Sequence, residues 1–175
     1  MTARTFGKDQ KALSERALAK TVVALGSNMG DRLQIIDQAI GRIEQTVGAC
    51  LARSDLVETK AVVHPDDDAD WHPPFLNGVA VFATNLTPSQ VLNGLLAIET
   101  DLGRQRLPDS KPWQPRPIDL DLIAIDDAII NTKDLVLPHP RMHERRFVLE
   151  PMASILPEWR HPILNRTVDD LLSSL

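Results

Sequence analysis

Between Thr21 and Leu25 the chain runs TVVAL, a short apolar, β-branched stretch with the pattern of a buried strand. GSNMGD then turns the chain, with Gly26 and Gly30 supplying permissive backbone positions. From Asp31 to Val47 the apolar residues Leu33, Ile36, Ile40, Ile43 and Val47 recur at three- and four-residue steps, which predicts an amphipathic helix ending at Gly48. Residues 49–59 predict a second strand with a weaker pattern. A loop follows from Lys60 to Pro74, and FLNGVAVFAT (75–84) predicts the next strand. Thr87-Pro88-Ser89-Gln90 reads as a capping box with proline in the first turn. The helix it opens should turn Val91, Leu95, Ile98 and Leu102 inward and stop at Gly103.

The stretch from Arg104 to Pro117 carries four prolines and four basic side chains and reads as an irregular loop. In the strand predicted next, WQPRPIDLDLIAI (113–125), Ile118, Leu120, Leu122 and Ala124 should share one face and Asp119 and Asp121 the other. Asp126-Asp127 turns the chain into a further extended segment. LPHPRMHERRFVLEPMASI is a proline-punctuated loop entering a helix, and a last helix begins at Thr167, capped with Asp170. The order β-α-β-β-α-β with C-terminal additions predicts an α+β, ferredoxin-like sandwich. Its sheet is mostly antiparallel and two helices cover one face. Residues 1–20 form a polar extension and residues 21–175 the domain.

Composition narrows the function. A formal charge of -5 and a pI near 5.5 argue against a nucleic-acid partner, which calls for a basic face. The single cysteine, Cys50, fits a reducing cytoplasm. The chain lacks the roughly 18 consecutive apolar residues of a membrane span, and its N-terminus lacks the apolar core of a signal peptide. Asp66, Asp68 and Asp70 copy the first ligand positions of a calcium-binding EF-hand. Trp71 and Asn77 stand where that site needs glycine and glutamate, so it is rejected. His64 and His72 flank this run and offer metal ligands, although a solvated loop is the commoner reading of such a stretch.

The chemistry gathers around Asp119 and Asp121. Two carboxylates side by side repel unless a cation or shared proton relieves them, and Mg²⁺ suits one or two carboxylates plus water and phosphate. An isolated Asp-x-Asp is usually the solvated face of an edge strand, so the flanking residues decide. Arg104, Arg106, Lys111 and Arg116 precede the pair, and His139, Arg141, His143, Arg145 and Arg146 follow it. Metal-capable carboxylates between basic clusters are the inventory of phosphoryl transfer. GSNMGDR lacks the Gly-Lys-Ser/Thr ending of a Walker loop. Asn77, an amide in an apolar strand, needs hydrogen-bonding partners. Phe75, Trp113 and Phe147 are either core or the walls of a slot for a planar heterocycle. A non-catalytic ferredoxin-like binding module and a different metal-dependent phosphotransferase remain open on these residues alone.

Five pieces, ALGSNMGD, FLNGV, IETDLGRQR, WQPRPIDLDL and LVLPHPRMHERRFVLEP, arrive in a familiar order. From Thr21 to about Pro162 the chain resembles the 6-hydroxymethyl-7,8-dihydropterin pyrophosphokinase family. The resemblance implies the same ferredoxin-like fold and transfer of pyrophosphate from ATP to the pterin hydroxymethyl group, releasing AMP, in folate biosynthesis. It implies that Asp119 and Asp121 hold two Mg²⁺ ions and that Arg104 and Arg116 are catalytic. Glu99, Arg106, Trp113, His139 and Arg145 would bind ATP, and Thr59, Phe75, Asn77 and Phe147 the pterin. A cytoplasmic monomer is expected. The sequence departs from the family at Gln114, commonly glycine, at Asp134, where some relatives are basic, and in the acidic insertion around Asp66–Asp70.

Overall fold

The computed structural model describes residues 18–61, 72–105 and 114–175. The N-terminal extension as far as residue 17, His64, the acidic run at 66–70, and Arg106, Lys111 and Trp113 lie outside the described residues. Strand β1 (Ala19–Ser27) starts two residues before the apolar run, because Ala19 and Lys20 pair with Thr84 and Ala83. Helix α1 (Arg32–Thr46) is capped by Asp31, whose carboxylate accepts the Gln34 N–H at 3.1 Å. Ile36, Ala39, Ile40 and Ile43 are its buried face. Leu33, in the first turn, is 53% exposed instead.

Residues 49–59 divide into β2 (Cys50–Arg53) and β3 (Val57–Thr59), both antiparallel to β4 (Phe75–Thr84). The break falls at Ser54, which stays tied to β4. Its N–H donates to the Val79 carbonyl at 2.9 Å and its hydroxyl accepts the Val79 N–H at 3.0 Å. Helix α2 (Pro88–Asp101) carries the complete Thr87/Gln90 capping box, and Gly103 leaves it with φ +92°. Strand β5 (Asp119–Ile125) pairs antiparallel with β1. A hairpin of β6 (Ile130–Asn131) and β7 (Val136–Leu137), a 3-10 turn (Met142–Glu144), α3 (Arg146–Ile155) and α4 (Val168–Ser173) complete the described chain.

The main sheet runs β2–β4–β1–β5, with β3 also on β4, and every pairing is antiparallel. One face buries Val23, Leu25, Phe82, Leu120 and Leu122 against Ile36 and Ile43 of α1 and Leu95 of α2. That is the expected ferredoxin-like layer. The other face is not bare: Val22, Val79, Val81 and Ile123 pack with Leu149 and Met152 of α3 and Leu171 of α4. Burying such side chains contributes about 1.5–3 kcal/mol each.

The face expected for β5 changes partway along the strand. Val22 pairs with Ala124 while Val23 pairs with Leu122, so Ile123 is an extra residue opposite β1. Through this bulge Ala124 joins Ile123 in the second core rather than lying beside Leu122. Upstream of the bulge, Asp119 and Asp121 keep to the second face. There α3 and α4 leave room for a cavity.

Candidate active site

The cavity is lined by Thr59 and Lys60 from the β3 end, Phe75 and Asn77 from β4, Arg116, Asp119 and Asp121 from β5 and its approach, and Arg141, Glu144, Arg145 and Phe147 from the 3-10 turn and α3. Eight residues expected from the sequence thus line one space: Thr59, Phe75, Asn77, Arg116, Asp119, Asp121, Arg145 and Phe147.

Asn77 is buried, and its Nδ2 donates to the Thr59 hydroxyl at 2.8 Å. Its oxygen lies over Gly26, where a Cβ would come within 2.8 Å of it and within 3.4 Å of the Phe75 ring. Gly26 lies within β1, paired with Asn77 and Asp119 rather than in the turn expected of GSNMGD, and is the floor of this corner. Phe75 and Phe147 each carry a guanidinium over the ring, Arg116 at 5.3 Å and Arg145 at 5.7 Å from the centroids.

Every carboxylate here meets arginine. Asp119 accepts from Arg104 through Oδ1 and from Arg116 Nη2 at 2.6 Å through Oδ2. Burial pushes its carboxyl pKa up, but the charges and hydrogen bonds of Arg116 and Arg104 outweigh that and hold it below the usual range. Asp121 Oδ2 accepts from Arg145 Nη1 at 2.9 Å, and its other oxygen has no partner among the described residues. Arg116 also donates to the Gln114 carbonyl at 3.4 Å, so the departure at Gln114 leaves that backbone contact in place.

Three expected residues stand just outside the cavity wall: Arg104, which reaches Asp119 from there, Glu99 and His139. Glu99 is 1% exposed; one of its oxygens accepts from both Arg104 Nη1 and the Leu120 N–H, the latter at 2.7 Å. His139 is anchored by its N–H to the Ile123 carbonyl at 2.8 Å, and its Nδ1 accepts the Arg141 N–H at 3.1 Å. Burial pushes the His139 pKa down, more than Asp121 draws it up, and Arg145 reinforces the shift. With Nδ1 accepting, Nε2 is left as the donor of the ring. Arg106 and Trp113 lie outside the described residues.

Asn28, in the ALGSNMGD motif, is a site residue that turn and strand patterns do not single out. It is 1% exposed and ties together both approaches to the cavity. Its oxygen accepts the Arg116 N–H at 2.8 Å, its amide donates to the Pro73 carbonyl at 3.1 Å, and its own N–H reaches the Arg116 carbonyl at 3.3 Å. Arg32 supports the same corner, donating to the Pro74 carbonyl at 2.8 Å and pairing with Glu58 at 2.7 Å.

Among the described residues there is no cluster of three or more His, Cys, Asp or Glu able to cage a metal. The two aspartates suit a hard cation that takes its remaining ligands from water and phosphate, as Mg²⁺ does. No helix among the described residues is long and apolar enough to cross a membrane.

Fold and site together define an α+β scaffold whose open sheet end sets paired carboxylates and arginines beside a ring-lined slot. Residues 22–157 match the family model described as 7,8-dihydro-6-hydroxymethylpterin-pyrophosphokinase (HPPK), and the chain belongs to that family. It is 37% identical over 142 residues to the 2-amino-4-hydroxy-6-hydroxymethyldihydropteridine pyrophosphokinase of Methylorubrum extorquens, covering 81% of this chain and 85% of that one. It is 36% identical over 135 residues to the folate synthesis bifunctional protein of Chlamydia caviae, covering 77% of this chain but 30% of that larger protein. The crystal structure of wild-type Plasmodium falciparum HPPK-DHPS shares the fold, with a TM-score of 0.71 at 16% identity, over 93% of this chain and 46% of that one.

Proposed function

We propose that this chain is a Mg²⁺-dependent pyrophosphokinase that transfers the β,γ-pyrophosphoryl group of ATP to 6-hydroxymethyl-7,8-dihydropterin in folate biosynthesis, acting as a cytoplasmic monomer. One observation carries the reading. The carboxylates Asp119 and Asp121, the arginines Arg116 and Arg145, and the slot of Phe75, Asn77 and Phe147 line the same cavity. Phosphate chemistry and recognition of a flat, hydrogen-bonding ring are thereby brought within one substrate's length.

In the reaction the pterin hydroxyl oxygen bonds to the β-phosphorus, the bond from that phosphorus to the α-phosphate oxygen breaks, AMP leaves, and the hydroxyl proton passes to solvent. Asn77, with Thr59 behind it, reads the pterin edge while Phe75 and Phe147 hold the ring by its faces. Arg104 and Arg116 meet the negative charge developing on the phosphates; Arg145 and the Nε2 donor of His139 hold the nucleotide, with Arg106 and Trp113 assigned to it by family position. Two Mg²⁺ ions held by Asp119 and Asp121 would neutralise phosphate oxygens and acidify the attacking hydroxyl. Arg116 and Arg145, now on the aspartates, are the groups best placed to turn toward phosphate. Alignment and electrostatics then supply most of the acceleration.

The test is AMP formation from ATP with and without the pterin, with and without chelation of Mg²⁺. Pterin-dependent AMP that vanishes on chelation is the expected result. AMP or ADP formed equally well without pterin would replace this reading with another phosphotransferase on the same scaffold. The Asp121→Ala protein is expected to fold and to lose turnover by at least a hundredfold.

A further inference from the structure

Glu99 is the best-buried carboxylate beside the cavity, yet it does not line it. It sits in the last turn of α2, where the glycine turn at Gly103 folds the chain back. The next residue, Arg104, returns to Glu99 twice. Its backbone N–H donates to the Glu99 carbonyl at 2.9 Å, and its guanidinium pairs with the Glu99 carboxylate. The same Glu99 oxygen accepts the N–H of Leu120, the neighbour of Asp119 along β5. The same Arg104 nitrogen reaches Asp119. One buried oxygen therefore touches both sides of the Arg104–Asp119 pair: the cation directly, and the carboxylate through the backbone beside it.

We infer that Glu99 is a positioning residue acting through Arg104, rather than a contact to the nucleotide. The inference rests on the pyrophosphokinase reading, in which Arg104 serves the phosphates. A guanidinium on a long side chain gives up rotamer freedom when it is held in one place. Glu99 supplies that restraint from the protein side, through a buried, charge-assisted contact. Arg104 stays at the edge of the cavity whether or not Asp119 is its partner. Asp119 alone could not do this, because in the proposed reaction its oxygens are required elsewhere.

The decisive variant is Glu99→Gln, which keeps the shape and an oxygen for the Leu120 N–H but removes the charge facing Arg104. The expected result is a kcat for AMP formation at least tenfold lower, with the KM for pterin and the affinity for MgATP within threefold of wild type. In an Arg104→Ala background the same change should alter kcat less than twofold, since the residue it acts through is gone. An unchanged kcat in the single variant would overturn the inference. So would a tenfold loss of MgATP affinity that persists without Arg104, which would make Glu99 a nucleotide contact.

Urea unfolding of the four ligand-free proteins reads the same coupling without turnover. Glu99→Gln should lower the midpoint less in the Arg104→Ala background than in the wild type, and equal drops would overturn the inference. This arm decides the matter even if the wild-type protein forms no pterin-dependent AMP, an outcome that defeats the functional reading alone. If Glu99→Gln does not fold, the same cycle runs on Glu99→Asp, which keeps the charge but draws it one methylene away from Arg104.

Discussion

Two residues where β1 ends, Gly26 within it and Asn28 just beyond it, shape the site more than their chemistry suggests. Asn28 satisfies Arg116 and Pro73 from a fully buried position, and Arg116 in turn lies over Phe75. Its amide thus sets the phosphate side of the cavity against the ring side. Replacing it with alanine leaves a buried N–H and a carbonyl without their partners, at a cost of about 1–3 kcal/mol each before relaxation. The Asn28→Ala protein is expected to unfold at lower urea and to lose at least tenfold in kcat, measured as AMP formation. Gly26→Ala tests the floor of the ring slot, since the new methyl group would press on the Asn77 oxygen and the Phe75 ring. Pterin affinity, followed by titration calorimetry, should weaken at least tenfold there, while MgATP affinity holds. Neither role was legible in the sequence, because the partners of Asn28 are 45 and 88 residues away and Gly26, which reads as a turn glycine, is placed by strand pairing with Asn77 and Asp119. The aspartate pair was legible because strand alternation is local.

At the scale of elements, signals confined to one or two turns were easy to read. The Thr87/Gln90 and Thr167/Asp170 capping boxes are both complete, and β4 has the limits its apolar run marks. The bulge at Ile123 and the break at Ser54 were not legible, because each is set by the register of a neighbouring strand. The connector between α3 and α4 shows the same dependence on a distant environment. There His161, 5% exposed, accepts the N–H groups of Ile163 at 3.3 Å and Leu164 at 3.2 Å on Nδ1, which it can do only as a neutral ring. Burial pushes its pKa below the ordinary value of 6.5, and nearby His143 pushes the same way. The unfolded chain therefore takes up a proton at a pH where the folded chain resists it. The stability this ring provides is full above about pH 6.5 and is lost as the pH falls from there through the lower folded-state value. Urea midpoints followed from about pH 7.5 to 5.5 should decline in the wild type. In His161→Asn, whose side-chain oxygen accepts without titrating, that decline should be shallower by the contribution of this one group.

Across the whole molecule the sheet has two unequal faces, and the site depends on the inequality. α1 and α2 cover the first face; α3 and α4 cover the second as far as Val79, leaving the stretch with Asn77, Asp119 and Asp121 to the cavity. The proline-punctuated loop before α3 and the Thr167/Asp170 cap of α4 announced two helices but not which face they would cover, since start signals and caps are local and do not specify a packing partner. The family match ends at residue 157, before α4 begins, although Val168 and Leu171 of α4 are core residues at 0% and 2% exposure. If α4 serves to close this second core, loosening it should cost stability without touching chemistry. Leu171→Ala is expected to reduce the unfolding free energy by about 2–4 kcal/mol, the range for emptying a buried leucine site. Leu171 does not line the cavity. Below the lowered melting temperature, pterin affinity and kcat should therefore stay within twofold of wild type. A matching fall in kcat at a temperature where circular dichroism shows the variant fully folded would mean that α4 also fixes α3, and with it Arg145 and Phe147, against the substrate.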